Sequence, residues 1–382
     1  MIQNFPTGIG NYLENLIKAL AKLPTDYDFV LVGNSGNKME RWVGDHHRFE
    51  FVTIRSKPNS IHQHFLLPLE LTPLKLDLFW TTPWGVSIFL WQKYALTIYD
   101  LLYRRYPEIA SLKARLYETF ISKWVAQRAV IIFTISEFVK KDIEGFLGVG
   151  RDKIVNIQGA ASEAYKSFKE AGLQGQALQT LKRYGITKPF FVYLGNFRPH
   201  KNLRTLLQAF AALRTQHPAL SLILIGAVDA KGRDRDSCNL LKSLENLKLQ
   251  DDVILTGRIA GDSEVAGILN EAVALVHPSF HEGFGLTVLE AMSCGCPVIA
   301  ANATSSPEVV GEAGILVDPY SVEELAVAMR SLYYNYTTKT PKYQEMKGRC
   351  LEQAKKFSWE ETAKRVLDEF SIFKFQFSMK SQ

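Results

Sequence analysis

The chain has 382 residues, 47% of them hydrophobic and 22% charged, with a formal net charge of +6 and four cysteines. That length asks for two globular domains rather than one core, and no apolar run reaches the roughly 18–20 residues of a membrane span or, at the start, reads as a secretory leader. Four cysteines without a Cys-x-x-Cys pair argue for a reducing, cytoplasmic setting and against a metal cage, and a mild, dispersed basic excess argues against nucleic-acid binding.

Taken in order, the chain alternates strands and helices. Thr7-Gly8-Ile9-Gly10-Asn11-Tyr12 opens a helix with Leu13, Leu16, Ile17, Leu20 and Leu23 at helical spacing. In a Rossmann-like half a strand should precede such a glycine turn. Only Met1 to Pro6 stands before it, so the first strand of the N-terminal domain is expected to be missing. Strands are expected over 29–33, 49–54, 77–80, 94–100 and 131–137, with Ser136 as the N-cap of the helix that follows. The strand 94–100 ends in Tyr99-Asp100, at the carboxyl end where ligands bind in open parallel sheets. Tyr99 can donate a hydrogen bond but cannot serve as a base near neutral pH. His62 and His64, two apart, do not share a helix face and are not read as a metal site. Ile154-Val155-Asn156-Ile157 and Gly159-Ala160-Ala161 lead into a second half.

The second half begins with the apolar strand 190–195. It runs into Asn196-Phe197-Arg198-Pro199-His200-Lys201-Asn202 and a helix carrying Leu203, Leu206, Leu207 and Phe210. Cations at that strand end suit a departing diphosphate, although a solvated basic loop is the plainer reading of them alone. Strands over 222–226 and 253–259 follow, the latter passing Arg258 and Ile259. Then comes the stretch on which the reading turns. Ala272 to Val276 reads as a buried strand, His277 to Gly285 as a glycine loop, Leu286 to Met292 as a helix ended by Gly295 and Pro297, and Val298 to Ala301 as a strand. Gly283 and Gly285 let backbone approach a ligand, and the amino end of the helix suits a phosphate. Glu282 and Glu290 suit the paired hydroxyls of sugar and ribose. Cys294 and Cys296 read as small packed residues. Val322 to Tyr333 is expected to be an amphipathic helix, and a last helix starts after an N-cap at Ser358.

The stretch His277 to Ile299, with two glutamates separated by seven residues at Glu282 and Glu290, resembles the signature of the retaining glycosyltransferases of family 4. The resemblance continues from Ser305 to Pro319 and, more weakly, back to Thr7. It implies an α/β fold of two Rossmann-like parallel-sheet domains facing a cleft, of glycosyltransferase B type. Residues 1–160 would be the acceptor-side domain, 161–355 the nucleotide-sugar domain, and 356–382 a helix packing back on the first. The implied reaction is transfer of a sugar from a nucleoside diphosphate sugar to a hydroxyl with retention, by a front-face route needing no metal and no further cofactor. Lys201 matches the family's phosphate lysine; Arg198 substitutes for an arginine that many relatives carry where this chain has Asn196. The implied catalytic set is Glu282, Asp100, Lys201 and Arg198. The donor is expected to touch Gly8, Gly10, Arg258, Ile259, Gly283, Phe284, Gly285, Leu286, Thr287 and Glu290 as well as Arg198, Lys201 and Glu282. Where relatives carry His-Asp, this chain has Tyr99-Asp100, so the histidine's role does not carry over.

The pattern Leu-Gly-Asn-Phe-Arg-Pro-His-Lys-Asn looks most like bacterial mannosyltransferases of surface polysaccharide. GDP-mannose is therefore the first donor expected, ahead of UDP-sugars, with a glycan or lipid-linked acceptor. The positive charge also leaves room for attraction to an anionic inner-membrane surface, against the plainer reading of a solvated basic face. Two alternatives stand beside this: a degenerate, non-catalytic sugar-nucleotide binder, and a sugar-nucleotide epimerase of the same architecture.

Overall fold

A computed structural model describes residues 8–34, 39–57, 60–168, 174–187, 189–227 and 234–380. The readings made on Met1 to Thr7, including the absent first strand, lie outside these. The described strands are β1 (Phe29–Asn34), β2 (Phe49–Ile54), β3 (Phe79–Thr81), β4 (Tyr94–Ile98), β5 (Ile131–Thr134), β6 (Ile154–Asn156), β7 (Phe190–Leu194), β8 (Ser221–Ile225), β9 (Val253–Gly257), β10 (Ala274–His277), β11 (Val298–Ala301) and β12 (Ile315–Val317). Their described pairings are all parallel. The apolar runs of β4, β5, β7, β10 and β11 explain this. A strand buried on both faces by crossover helices has no polar face to alternate with.

The described residues form two compact units, one running to Gly159 and resuming at Ser358, the other spanning Ala160–Phe357. In the first, β1 pairs with β2 and a second sheet has the order β3-β4-β5-β6. Both sheets feed one core, where Val32 and Val52 pack against a cluster containing Leu67, Leu96 and Ile132. Helix Gly8–Lys22 buries Tyr12, Leu16, Ile17, Ala19 and Leu20 on one face. Helix Trp359–Lys380 also belongs to this unit: Phe370 lies 5.6 Å from Trp80 and 5.8 Å from Phe133, and Trp359 lies 4.9 Å from Tyr12. Strand β4 stops at Ile98, earlier than its apolar run suggested. Asp100 Oδ1 instead accepts from the Leu102 N–H at 3.1 Å, closing a turn. Residues 61–71 and 112–128, left without an assignment by sequence pattern, are helical.

In the second unit the sheet order is β12-β11-β10-β7-β8-β9. The chain starts in the middle at β7, adds β8 and β9 on one side, then returns to lay β10 against the other flank of β7. Neighbouring strands β7 and β10 are therefore a topological switch point, the place in an open parallel sheet where ligands bind beyond the carboxyl ends of the strands. Close backbone approach at this end needs glycine: a Cβ on Gly226 would sit 2.1 Å from the carbonyl oxygen of Gly195.

Candidate active site in the second unit

The loops leaving β7 and β10 are stitched together before any ligand arrives. Asn202, held at φ 57°, donates from Nδ2 to the carbonyls of Pro278 (3.0 Å) and Pro319 (2.6 Å). The Phe280 N–H donates to the His200 carbonyl at 2.8 Å. Behind the loop, Ser305 Oγ lies 2.9 Å from both the Glu282 and Phe284 carbonyls, and the Glu282 N–H donates to Thr304 Oγ1 at 3.1 Å. These bonds satisfy the polar backbone of a buried loop and aim Glu282 back toward β7.

There it meets Lys201. Glu282 Oε1 accepts from Lys201 Nζ at 2.7 Å and is 2.6 Å from His277 Nε2, which also lies 3.1 Å from Ser279 Oγ. Only 13% of the Lys201 and Glu282 side chains and 2% of His277 is exposed. Burial opposes the charge on Glu282, but Lys201 and His277 outweigh it and hold the carboxyl well below its usual range. Burial, with Lys201 next in weight, pushes His200 down to about 4, so that ring is neutral at physiological pH.

Gly285, at φ 107°, turns the chain into helix Leu286–Ser293, a conformation that costs other residues strain. The first N–H groups of any helix lack intrahelical partners, and here they follow directly on the Glu282 loop. Glu290 lies about one turn in. Burial, then the nearby Asp262 carboxylate, pushes Glu290 up to about 8. Asp262, the first residue of its helix, is tied by Ser162 Oγ at 3.2 Å and by the Tyr165 hydroxyl.

The other expected residues divide. Gly283, Leu286 and Thr287 are half-buried beside Glu282 and the helix start. Phe284 is buried and meets Phe357 edge-on at 5.7 Å, and Ile259 is buried too. Their side chains belong to the core, so only their backbone is left for a ligand. Arg198 and Arg258 are exposed, on the turns after β7 and β9. Gly8, Gly10 and Asp100 belong to the first unit, the two glycines in the opening turn of helix Gly8–Lys22. Tyr99 is buried there, 5.3 Å from the Tyr12 ring, and its phenol is pushed far above neutral pH by burial. Sequence reasoning passed over His277, Asp262 and Tyr165. A histidine ending a strand five residues before a glutamate was the available signal for the first. The other two reach Glu290 only through tertiary packing. Among the described residues no cluster of three or more His, Cys, Asp or Glu side chains is placed to hold a metal ion.

Comparison with known proteins supplies the family. Residues 181–356 match the family described as Glycosyl transferases group 1, and residues 6–160 match Glycosyltransferase Family 4. The chain is 29% identical to O-antigen chain mannosyltransferase B of Escherichia coli over 96% of each protein. It is 30% identical to the E. coli serotype-specific mannosyltransferase WbdA over 64% of this chain but only 29% of that longer protein. Anabaena HepE, solved with UDP and glucose, superimposes with a TM-score of 0.76 at 18% identity, covering 97% of this chain and 98% of that one, which establishes the shared two-domain fold. The switch-point site, the paired glutamates and the two family matches together identify the chain as a member of the group 1, family 4 glycosyltransferases.

Proposed function

We propose that this glycosyltransferase moves a sugar, mannose first among candidates, from a nucleoside diphosphate sugar to a hydroxyl of a glycan or lipid-linked acceptor with retained anomeric configuration. The observation that carries the reading is the meeting of Lys201 and Glu282, 2.7 Å apart, from the loops of adjacent strands β7 and β10 and just before a helix amino end. Without donor, Lys201 neutralises Glu282. An arriving diphosphate competes for Lys201, and the freed carboxylate turns to the sugar hydroxyls. Lys201, Arg198 and the helix end then stabilise the charge that develops on the departing diphosphate. Glu290, carrying a proton near neutral pH, both donates to and accepts from the ribose hydroxyls. The acceptor oxygen bonds to the anomeric carbon as the bond to the diphosphate oxygen breaks, and the acceptor proton passes to the leaving phosphate. Mannose is favoured by the E. coli relative's name, and UDP-sugars are the second donor class because HepE was solved with UDP.

The test is turnover with GDP-mannose and a set of UDP-sugars against free glycans and polyprenyl-linked sugars, with product stereochemistry by NMR. Transfer from GDP-mannose with retention is expected, reduced about 10²–10³-fold in kcat by Lys201→Ala. Nucleotide binding without transfer from any donor would make this a binding protein. Donor conversion without acceptor would make it an epimerase.

A further inference from the structure

His277 is the last residue of β10, in register with Ala300 of β11, and it is buried. Its ring lies parallel to that of Tyr193, 6.0 Å away between centroids. Tyr193 is itself fixed, its hydroxyl donating to the Asn196 carbonyl at 2.6 Å. All the described bonding of the imidazole falls on one nitrogen: Nε2 is 2.6 Å from Glu282 Oε1 and 3.1 Å from Ser279 Oγ. Nδ1 is sealed from solvent and has no hydrogen-bond partner among the described residues. A buried nitrogen without a partner is destabilising. Packing alone, which a phenylalanine or leucine would do as well, therefore does not account for a histidine at this place. Glu282 is ionised at neutral pH, and a carboxylate only accepts. Nε2 is thus the donor, whether or not Nδ1 also carries a proton.

The two partners of Glu282 differ in freedom. Lys201 ends the turn Pro199–Lys201, and its ammonium reaches Oε1 on a four-carbon stem. Such a group carries three donors and turns readily to another anion. His277 is a short, two-torsion side chain on a strand of the sheet, stacked against Tyr193, and it cannot follow. Both partners bond the same oxygen, and no described bond falls on Oε2. An ammonium drawn to a diphosphate would take its carboxylate with it, toward like charge, unless a second group held that carboxylate where it is. A donor placed on a strand gives that kind of fixed support.

We propose that His277 is a positioning residue for transfer: it keeps Glu282 in place when the donor's diphosphate draws Lys201 away. Oε2, and the lone pair on Oε1 that Lys201 vacates, are then free to accept from the sugar hydroxyls. His277 touches no substrate and acts through Glu282. The inference rests on the donor site proposed above and divides its labour, with Lys201 serving the diphosphate and His277 serving the carboxylate that holds the sugar.

The experiment replaces His277 in the full chain by Gln, Asn and Phe. Gln brings an amide N–H near the place of Nε2, Asn brings one near the place of Nδ1, and Phe keeps a ring without a donor. Losing a hydrogen bond to a charged group should lower kcat about 10–100-fold in H277F and H277N, while H277Q keeps it within about fivefold. Affinity for GDP alone, by titration calorimetry, should stay within about threefold of the parent in all three, since the diphosphate is held by other groups. GDP-mannose should lose whatever affinity its sugar adds in the parent; UDP and UDP-glucose form the second pair of probes. Circular dichroism verifies folding, and if H277F does not fold, the contrast between Gln and Asn carries the test. A further readout needs no turnover. With isotope-labelled histidine, the buried ring N–H of His277 should give a slowly exchanging NMR signal that is absent from H277F and persists both in Lys201→Met and with GDP bound. H277F turning over like the parent, H277N rescuing as well as H277Q, GDP affinity falling in step with kcat, or loss of the ring signal in Lys201→Met or with GDP overturns the proposal. A parent that transfers no sugar from any donor would overturn the function proposed above, and the ring signal and its response to GDP would still decide whether His277 anchors Glu282.

Discussion

The contact between Lys201 and Glu282 offers the sharpest test of the site. With an effective dielectric of about 20, unit charges 2.7 Å apart attract by about 6 kcal/mol, and desolvating both groups takes back much of that. Removing one partner of a buried pair is costlier than removing both, because the survivor is left uncompensated. Glu282→Gln strands Lys201 and should cost about 3 kcal/mol. Lys201→Met leaves Glu282 with His277 at 2.6 Å and should cost about 2 kcal/mol. The double variant should cost about 2 rather than the roughly 5 kcal/mol of simple addition, a coupling of about 3 kcal/mol. For a unit of this size each kcal/mol is worth about 2–4 °C in Tm, so Glu282→Gln should melt about 6–12 °C lower. Because the folded carboxyl is held below its unfolded value near 4.5, its stabilising contribution is present above that pH. It is lost as pH falls through the folded value, and that acid loss should vanish in Glu282→Gln. The assay is calorimetry of the four proteins at pH 7 and along an acid series. Costs that add to within about 0.5 kcal/mol, or unchanged acid profiles, would refute the pairing.

Two further predictions rest on other groups. Between about pH 4.5 and 8 the folded chain keeps a proton on Glu290 that the unfolded chain has lost, so stability should fall as pH rises through that window. Glu290→Gln should flatten that fall and, since an amide has one acceptor oxygen where the protonated carboxyl has two, weaken nucleotide affinity about tenfold; parallel melting profiles from pH 5 to 8.5, or unchanged affinity by titration calorimetry, would count against it. Gly226→Ala places a Cβ 2.1 Å from the Gly195 carbonyl oxygen and should cost at least 3 kcal/mol by forcing β7 and β8 apart; wild-type-like melting would show that the turn can give way.

Much of the architecture is legible without coordinates because burial on both faces writes itself along the chain. The runs 190–194, 222–225, 274–276 and 298–301 are apolar because helices cover both sides of the sheet, and Gly195, Gly226 and Pro278 follow the first three strands. The strand–glycine–helix joint around Gly285 is equally plain, since Gly283 and Gly285 interrupt the apolar pattern and helix periodicity begins at once. Local chemistry of that kind singled out Lys201 and Glu282 separately.

Tertiary structure decided which of these residues meet. Nothing in the period of a strand says that β10 returns to lie against β7, yet that order alone brings Lys201 within 2.7 Å of a residue 81 positions away. Asp262 likewise becomes a neighbour of Glu290 only through packing. Periodicity along a chain reports that a side chain is apolar and how it recurs; which surface it finds, and which charge it faces, is settled only when distant segments compete for the same space.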